Sequence, residues 1–247
     1  MNAERTVLVM AGAREAHAVV IALLARGRRV VVSLPEPERM FDPFPVPARI
    51  GAFEDCAEMI RWMEDSGVEQ VIDASHSFDD HVREVTYAAA TALNLPYLRL
   101  LRPPWKATAK DHWSDTPSIA EAVRSLPSDA RVFTNTGWAS LPEFADFHAE
   151  KLFVRQTSDV QRNAPFPFVD VIEGQPPFSQ FQEEALFRRL AVTHLICRNV
   201  GGAASMSKLL AARAMQMPVL MIGRAPQASS LPHVETVAKA LAWDAGL

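Results

Sequence analysis

The sequence predicts an α/β protein of two Rossmann-like parallel-sheet domains with the active site in the cleft between them, and three observations carry that expectation. Short β-branched and aliphatic runs alternate with helix-length stretches along almost all of the 247 residues. Two of the helical stretches stop at Gly27 and Gly67, where a left-handed C-terminal position suits glycine, and an apolar run follows each at once. Near the middle a Pro-rich, charged passage, RPPWKATAKDHWSDTPS, interrupts the alternation, which then resumes.

Taken in order, strands are predicted over 7–10, 30–34, 49–53, 68–73 and 97–101, with helices near 14–26, 55–66 and 79–93 between them. Each strand is short and rich in Val, Ile and Leu, the composition of a parallel sheet covered on both faces. Beyond the interruption, strands are predicted over 131–134, 151–156, 168–173, 194–198 and 219–222. Pro103, Pro104, Pro117 and Pro127 are unsuited to central strands and helix interiors, so the stretch 103–128 is assigned to the connection. The expected domains are therefore 1–110, an N-terminal dinucleotide-binding unit, and 111–247, a second Rossmann-like unit that completes the cleft. No sequence repeat links the halves; only the architecture is shared.

Composition narrows the function classes. With 49% hydrophobic residues the chain can bury a large core or two smaller ones, which excludes disordered and fibrous classes. A formal net charge of -4, with both signs interspersed, leaves no basic stripe for successive phosphates, so nucleic acid is not an expected partner. Cys56 and Cys197 lie far apart without neighbours at metal-ligand spacing, so no metal site is expected and a reducing compartment is. The opening MNAERTVLVMAG has too short an apolar run for a signal segment or a membrane span, which predicts a cytoplasmic protein without a membrane partner.

In open parallel sheets, ligands bind at the carboxyl ends of the strands, and four loops there carry unusual residues. The first, MAGAREAHAV, places Gly12 between a strand and a helix, followed by Ala13 and Arg14. Such a turn aims helix N-terminal amides at a phosphate, and a guanidinium beside them can clamp an anion; a plain strand-to-helix turn is the alternative, because Ala13 breaks the GxGxxG pattern. At the end of the second strand stands Ser33 in place of the acid that holds the ribose hydroxyls of NAD, with Arg39 beyond, a combination that favours a 2'-phosphate and hence NADPH. The next loop, DASHSF, clusters Asp73, Ser75 and His76, either helix-capping groups or contacts to a ligand, His76 being able to act as an acid near neutral pH. Loop three, TNTGW, offers Asn135, Thr136, Gly137 and Trp138; loop four, CRNVGGAASMSK, offers Arg198, Asn199, Gly201, Gly202 and Lys208. Glycines with small polar donors suit close approach of a ligand to backbone, whereas Lys208 also fits a solvated helix surface.

The ordered set AGAREA, IDASHSF, RPPW, VFTNTG and RNVGGAASMSKLLAARAMQMPVLMI resembles the precorrin-6A reductase family over nearly the whole chain. The family pattern is closer to GGTxEA, DATHPFA, TTGR and KNSGG. Here Ala11 and Ala13 stand for Gly and Thr, Ser75 and Ser77 for Thr and Pro, Trp138 for Arg, and Arg198 and Val200 for Lys and Ser. The resemblance implies an NADPH-dependent oxidoreductase of cobalamin biosynthesis that acts on a CH–CH group of a polycarboxylate tetrapyrrole, with transient contact to neighbouring pathway enzymes. On that basis Gly12, Ala13 and Arg14 are expected at the pyrophosphate, and Ser33 and Arg39 at the 2'-phosphate. Asn135, Thr136, Gly137, Asn199, Gly201 and Gly202 are expected to complete the cofactor wall. The macrocycle is expected to meet Asp73, Ser75, His76, Trp138, Arg198 and Lys208, with His76, Arg14 and Arg198 as the catalytic set; the proton donor is His76, His81 or a water held by Arg14 or Arg198, with His76 preferred. A small-substrate NAD(P)-dependent oxidoreductase and a non-catalytic dinucleotide sensor remain as alternatives.

Overall fold

The structure, a computed structural model, describes residues 5–36, 43–157, 163–226 and 231–247. The chain divides into two compact units, residues 1–103 with 225–247, and residues 104–224. The first contains β1 (Thr6–Met10), α1 (Glu15–Ala25), β2 (Arg29–Leu34), β3 (Ala48–Ile50), α2 (Cys56–Asp65), β4 (Gln70–Asp73), α3 (Asp80–Ala92) and β5 (Tyr97–Leu100). The second contains β6 (Trp113–Thr116), α4 (Ile119–Arg124), β7 (Arg131–Thr134), β8 (Lys151–Gln156), β9 (Val169–Glu173), α5 (Gln180–Arg189), β10 (His194–Arg198), α6 (Ser207–Ala214) and β11 (Val219–Ile222). The chain ends with β12 (His233–Val234) and α7 (Val237–Ala245), which belong to the first unit.

In the first unit the strand order is β12-β5-β4-β1-β2-β3, and every ladder is parallel. All five residues of β1 are buried, as a strand covered on both faces requires. Val7 and Val9 pack with Val19, Val20 and Leu23 of α1 and Ala240 of α7, while Leu8 and Met10 pack with Met59 and Met63 of α2 and Val82 of α3. The period of two thus feeds one core on each side of the sheet.

The second sheet, β6-β11-β10-β7-β8-β9, is also wholly parallel. From its β9 edge it repeats the order of the first sheet from its β3 edge, with one difference. The outermost strand of the first sheet comes from the chain's end, whereas that of the second, β6, comes first in its unit. In both sheets the order reverses once, between β1 and β4 and between β7 and β10, and these reversals are where open α/β sheets hold ligands.

Two features differ from the sequence expectation. The connection assigned to 103–128 contains an edge strand, β6, and α4, capped by Ser118, whose hydroxyl accepts the Glu121 amide at 3.1 Å. The boundary expected after residue 110 also misses the return of 225–247 to the first unit. β12 pairs with β5 through only two residues, and α7 is anchored by its buried Asp244, which accepts from Arg28 Nε at 3.4 Å and Gln70 Nε2 at 3.4 Å. A two-residue strand has no periodicity to detect.

Candidate functional site

In the first unit, the loops after β1 and β4 meet at the sheet's reversal point. Gly12 adopts φ 149°, and a Cβ there would lie 2.9 Å from the backbone nitrogen of His76. Only glycine combines that conformation with that approach. Two backbone bonds join the loops, from Ala13 N to the Ala74 carbonyl at 2.9 Å and from Ala74 N to the Met10 carbonyl at 2.8 Å. The Ala13 amide is thereby engaged inside the protein. Arg14, exposed, is the N-cap of α1 in an αR conformation with no side-chain cap, so the helix opens with a cation at its start. Glu15 of the first turn lies 3.5 Å from Arg102.

The DASH loop is held from below. Asp73 is wholly buried; its Oδ1 accepts the Ser75 amide at 2.9 Å and its Oδ2 accepts the Tyr97 hydroxyl at 2.7 Å. Both oxygens of Asp73 are thus engaged within the protein, where they support the loop. Ser75 is also buried, and its hydroxyl has no hydrogen-bond partner among the described residues. His76 is half-buried, and its Nδ1 accepts the Phe78 amide at 3.3 Å, which leaves the ring proton on Nε2. His81, in contrast, spends Nε2 on the Phe53 carbonyl at 3.2 Å. Burial raises the carboxyl of neighbouring Asp79 above its usual range; the Val82 amide opposes that shift and the Asp73 charge adds to it.

Ser33 is wholly buried, its hydroxyl has no partner among the described residues, and it meets the β1 loop through its carbonyl, which accepts the Ala11 amide at 2.8 Å. In the β2·β3 ladder it is paired with Arg49, a cation the sequence expectation passed over. That guanidinium lies 3.6 Å above the Phe53 ring and 3.1 Å from Glu58. Arg39 lies outside the described residues.

In the second unit, Gly137 follows β7 with φ 92°, and nothing would meet a Cβ there, so the backbone conformation alone favours glycine. The Thr136 hydroxyl is buried in a chain with Thr134 at 3.0 Å and Ser140 at 2.8 Å. Asn135 and Trp138 are partly exposed at the strand tip. After β10, Asn199 clamps the RPPW segment: its Oδ1 accepts the Trp105 amide at 2.7 Å and its Nδ2 donates to the Trp105 carbonyl at 3.0 Å. The Trp105 indole donates to the Gly202 carbonyl at 2.9 Å, and Gly201 and Gly202 take positive φ to allow the turn. Lys208 is buried and donates to the Ser205 carbonyl at 2.7 Å. Asn199 and Lys208 thus hold the loop through these bonds. Arg198 stays partly exposed, 3.7 Å from Glu143.

The clamp residues Tyr97, Trp105 and Glu143 went unassigned in the sequence. Trp105 alone carried a signal, an indole after two prolines, which suits a packed residue. Among the described residues no helix is long and apolar enough to cross a membrane, and no three His, Cys, Asp or Glu gather as a metal site.

The architecture and these loops match known proteins. A profile of the precorrin-6x reductase CbiJ/CobK family matches residues 6–244. The precorrin-6A reductase of Rhodococcus erythropolis is 32% identical over 241 residues, covering 96% of this chain and 96% of that protein. That of Rhodobacter capsulatus is 31% identical over 218 residues, covering 88% and 87%. A solved structure of CobK precorrin-6A reductase matches with a TM-score of 0.89 at 30% identity, over 98% of this chain and 96% of that one. With the match spanning both sheets, the chain belongs to the precorrin-6x reductase CbiJ/CobK family.

Proposed function

We propose that this protein is a precorrin-6A reductase that uses NADPH: one C=C bond of the macrocycle receives a hydride, the adjacent carbon receives a proton, and precorrin-6B is released. The observation that carries the reading is the glycine turn at the first sheet's reversal point. Gly12 lets the β1 loop pack against the β4 loop, a Cβ there lying 2.9 Å from the His76 nitrogen, and directly after this turn opens an eleven-residue helix with no side-chain cap, whose N-terminal amides suit an anion. That cradle fits a dinucleotide pyrophosphate. When bound, the reduced nicotinamide supplies the hydride.

The remaining work falls to this chain's residues. Gly12 and the start of α1 bind the pyrophosphate, and Arg14 adds paired donors for an anion. β2 ends in Ser33 and Leu34 in place of the carboxylate that holds the ribose hydroxyls of NAD, which favours NADPH over NADH. Arg198, at the tip of β10, is a cation suited to the acetate and propionate groups of the macrocycle. His76 is the proposed proton donor, since its ring is half-exposed and as an imidazolium it gives up a proton and returns to neutral imidazole.

Fluorescence titration with NADPH and NADH tests the cofactor, and loss of reduced nicotinamide absorbance on adding precorrin-6A tests the reaction. The reading expects clear preference for NADPH and turnover only with the macrocycle. Binding of neither dinucleotide would sink it.

A further inference from the structure

The β4 loop lies against the Gly12 turn, yet its own fixation depends on a side chain outside the loop. Asp73 links the two strands: one oxygen holds the Ser75 amide at 2.9 Å and the other takes the Tyr97 hydroxyl at 2.7 Å. Ser75 and His76 are the residues whose backbone would meet a Cβ at Gly12, at 3.5 Å and 2.9 Å. A continuous chain of contacts therefore runs from the Tyr97 phenol to the glycine turn.

A competitor stands beside that chain. Arg99 is in register with Asp73 in the β4·β5 ladder and two residues from Tyr97, so the two β5 side chains share one face of the sheet. It is wholly buried, and neither Nη1 nor Nη2 has a hydrogen-bond partner among the described residues. A buried, unpaired guanidinium is costly and attracts any carboxylate free to turn toward it. Asp73 is the carboxylate aligned with it, restrained by Tyr97 and Ser75.

We propose that Tyr97 is a positioning residue, which holds Asp73 on the Ser75 amide and away from Arg99 and so fixes loop 74–76 against the Gly12 turn. The functional consequence rests on the reading that the dinucleotide docks at that turn. Burial and the adjacent Asp73 charge keep the phenol far above its ordinary pKa, so it remains a donor throughout the working pH range. Without the phenol, the carboxylate swings to Arg99, the Ser75 amide loses its acceptor, and the loop loosens. Removing Arg99 as well removes the alternative partner, and Asp73 stays with Ser75.

The test uses Tyr97→Phe, Arg99→Met and the double variant, with amide hydrogen exchange at Ser75 and His76 and titration with NADP+ as readouts. In Tyr97→Phe the exchange is expected to quicken and the NADP+ dissociation constant to rise, each roughly tenfold, the scale of one net hydrogen bond. Arg99→Met should match wild type in both, and the double variant should return most of the way to wild type. A merely structural tyrosine would not be rescued in this manner. Unchanged exchange in Tyr97→Phe overturns the proposal, and so does a double variant as loose as the single one. If Tyr97→Phe does not fold and the double variant does, the competition by Arg99 is supported; if neither folds, the positioning role is overturned. The exchange arm needs no nucleotide, so wild type that fails to bind NADP+ would sink the proposed function without deciding this inference.

Discussion

Gly12→Ala probes the glycine turn directly. At φ 149° an alanine occupies backbone space that L residues avoid, a strain of about 1–3 kcal/mol. Its Cβ would also lie 2.9 Å from the His76 nitrogen, which belongs to backbone and cannot rotate away, so the β4 loop must shift. Overpacking of this kind adds about 1–3 kcal/mol, and the bonds from Ala13 to Ala74 and from Ala74 to Met10 lengthen with it. Folding stability should fall by about 2–6 kcal/mol in urea denaturation. If the shift also removes one backbone bond to a phosphate, worth about 1.5–3 kcal/mol, NADPH affinity should drop roughly ten- to hundredfold by fluorescence titration. Stability within about 0.5 kcal/mol of wild type, with affinity changed less than about twofold, would refute the reasoning.

Four further outcomes are expected. Asp244→Ala removes the buried acceptor shared by Arg28 and Gln70 and should cost about 2–4 kcal/mol in thermal or urea unfolding, because the returning helix α7 loses its anchor. Ser33→Asp places a carboxylate at a wholly buried position and should destabilise the fold by about 3 kcal/mol or more, read as a lowered Tm. Burial pushes the Asp111 carboxyl up, but the paired bonds from Arg213, at 2.8 Å and 3.0 Å, and the Thr108 donors outweigh it and hold it below its ordinary value. Its stabilisation is thus present above the ordinary carboxylate range and lost as pH falls through the lowered value, so Asp111→Asn should be less stable than wild type at neutral pH and converge with it in acid. Arg198→Ala should raise KM for the macrocycle more than KM for NADPH; a change confined to the cofactor constant would reverse the role given to Arg198.

The fold was legible wherever strands were apolar. β1, β2, β4, β7, β8, β10 and β11 carry Val, Ile, Leu or Phe runs, and their predicted spans agree with the structure to within a few residues. β6, with sequence WSDT, and β12, with sequence HV, lack such runs because edge strands need little burial, and both form the outer strand of their sheet. Missing them also hid the exchange of order that returns the chain's end to the first unit. The candidate loops were picked out by residue type, since a glycine or a small polar group at a strand tip has few structural uses. Side-chain direction was not. Asp73 turns inward because Tyr97 is there, and Asn199 because Trp105 is 94 positions away in sequence; no local pattern encodes either partner.

Isotope transfer tests the central claim most directly. NADPH carrying deuterium at C4 of its nicotinamide, mixed with the protein and precorrin-6A, should place one deuterium on the reduced macrocycle, and Gly12→Ala should slow that transfer. Precorrin-6B formed without label from either face of the nicotinamide, or no reduction at all while the wild-type protein is folded, would contradict the account.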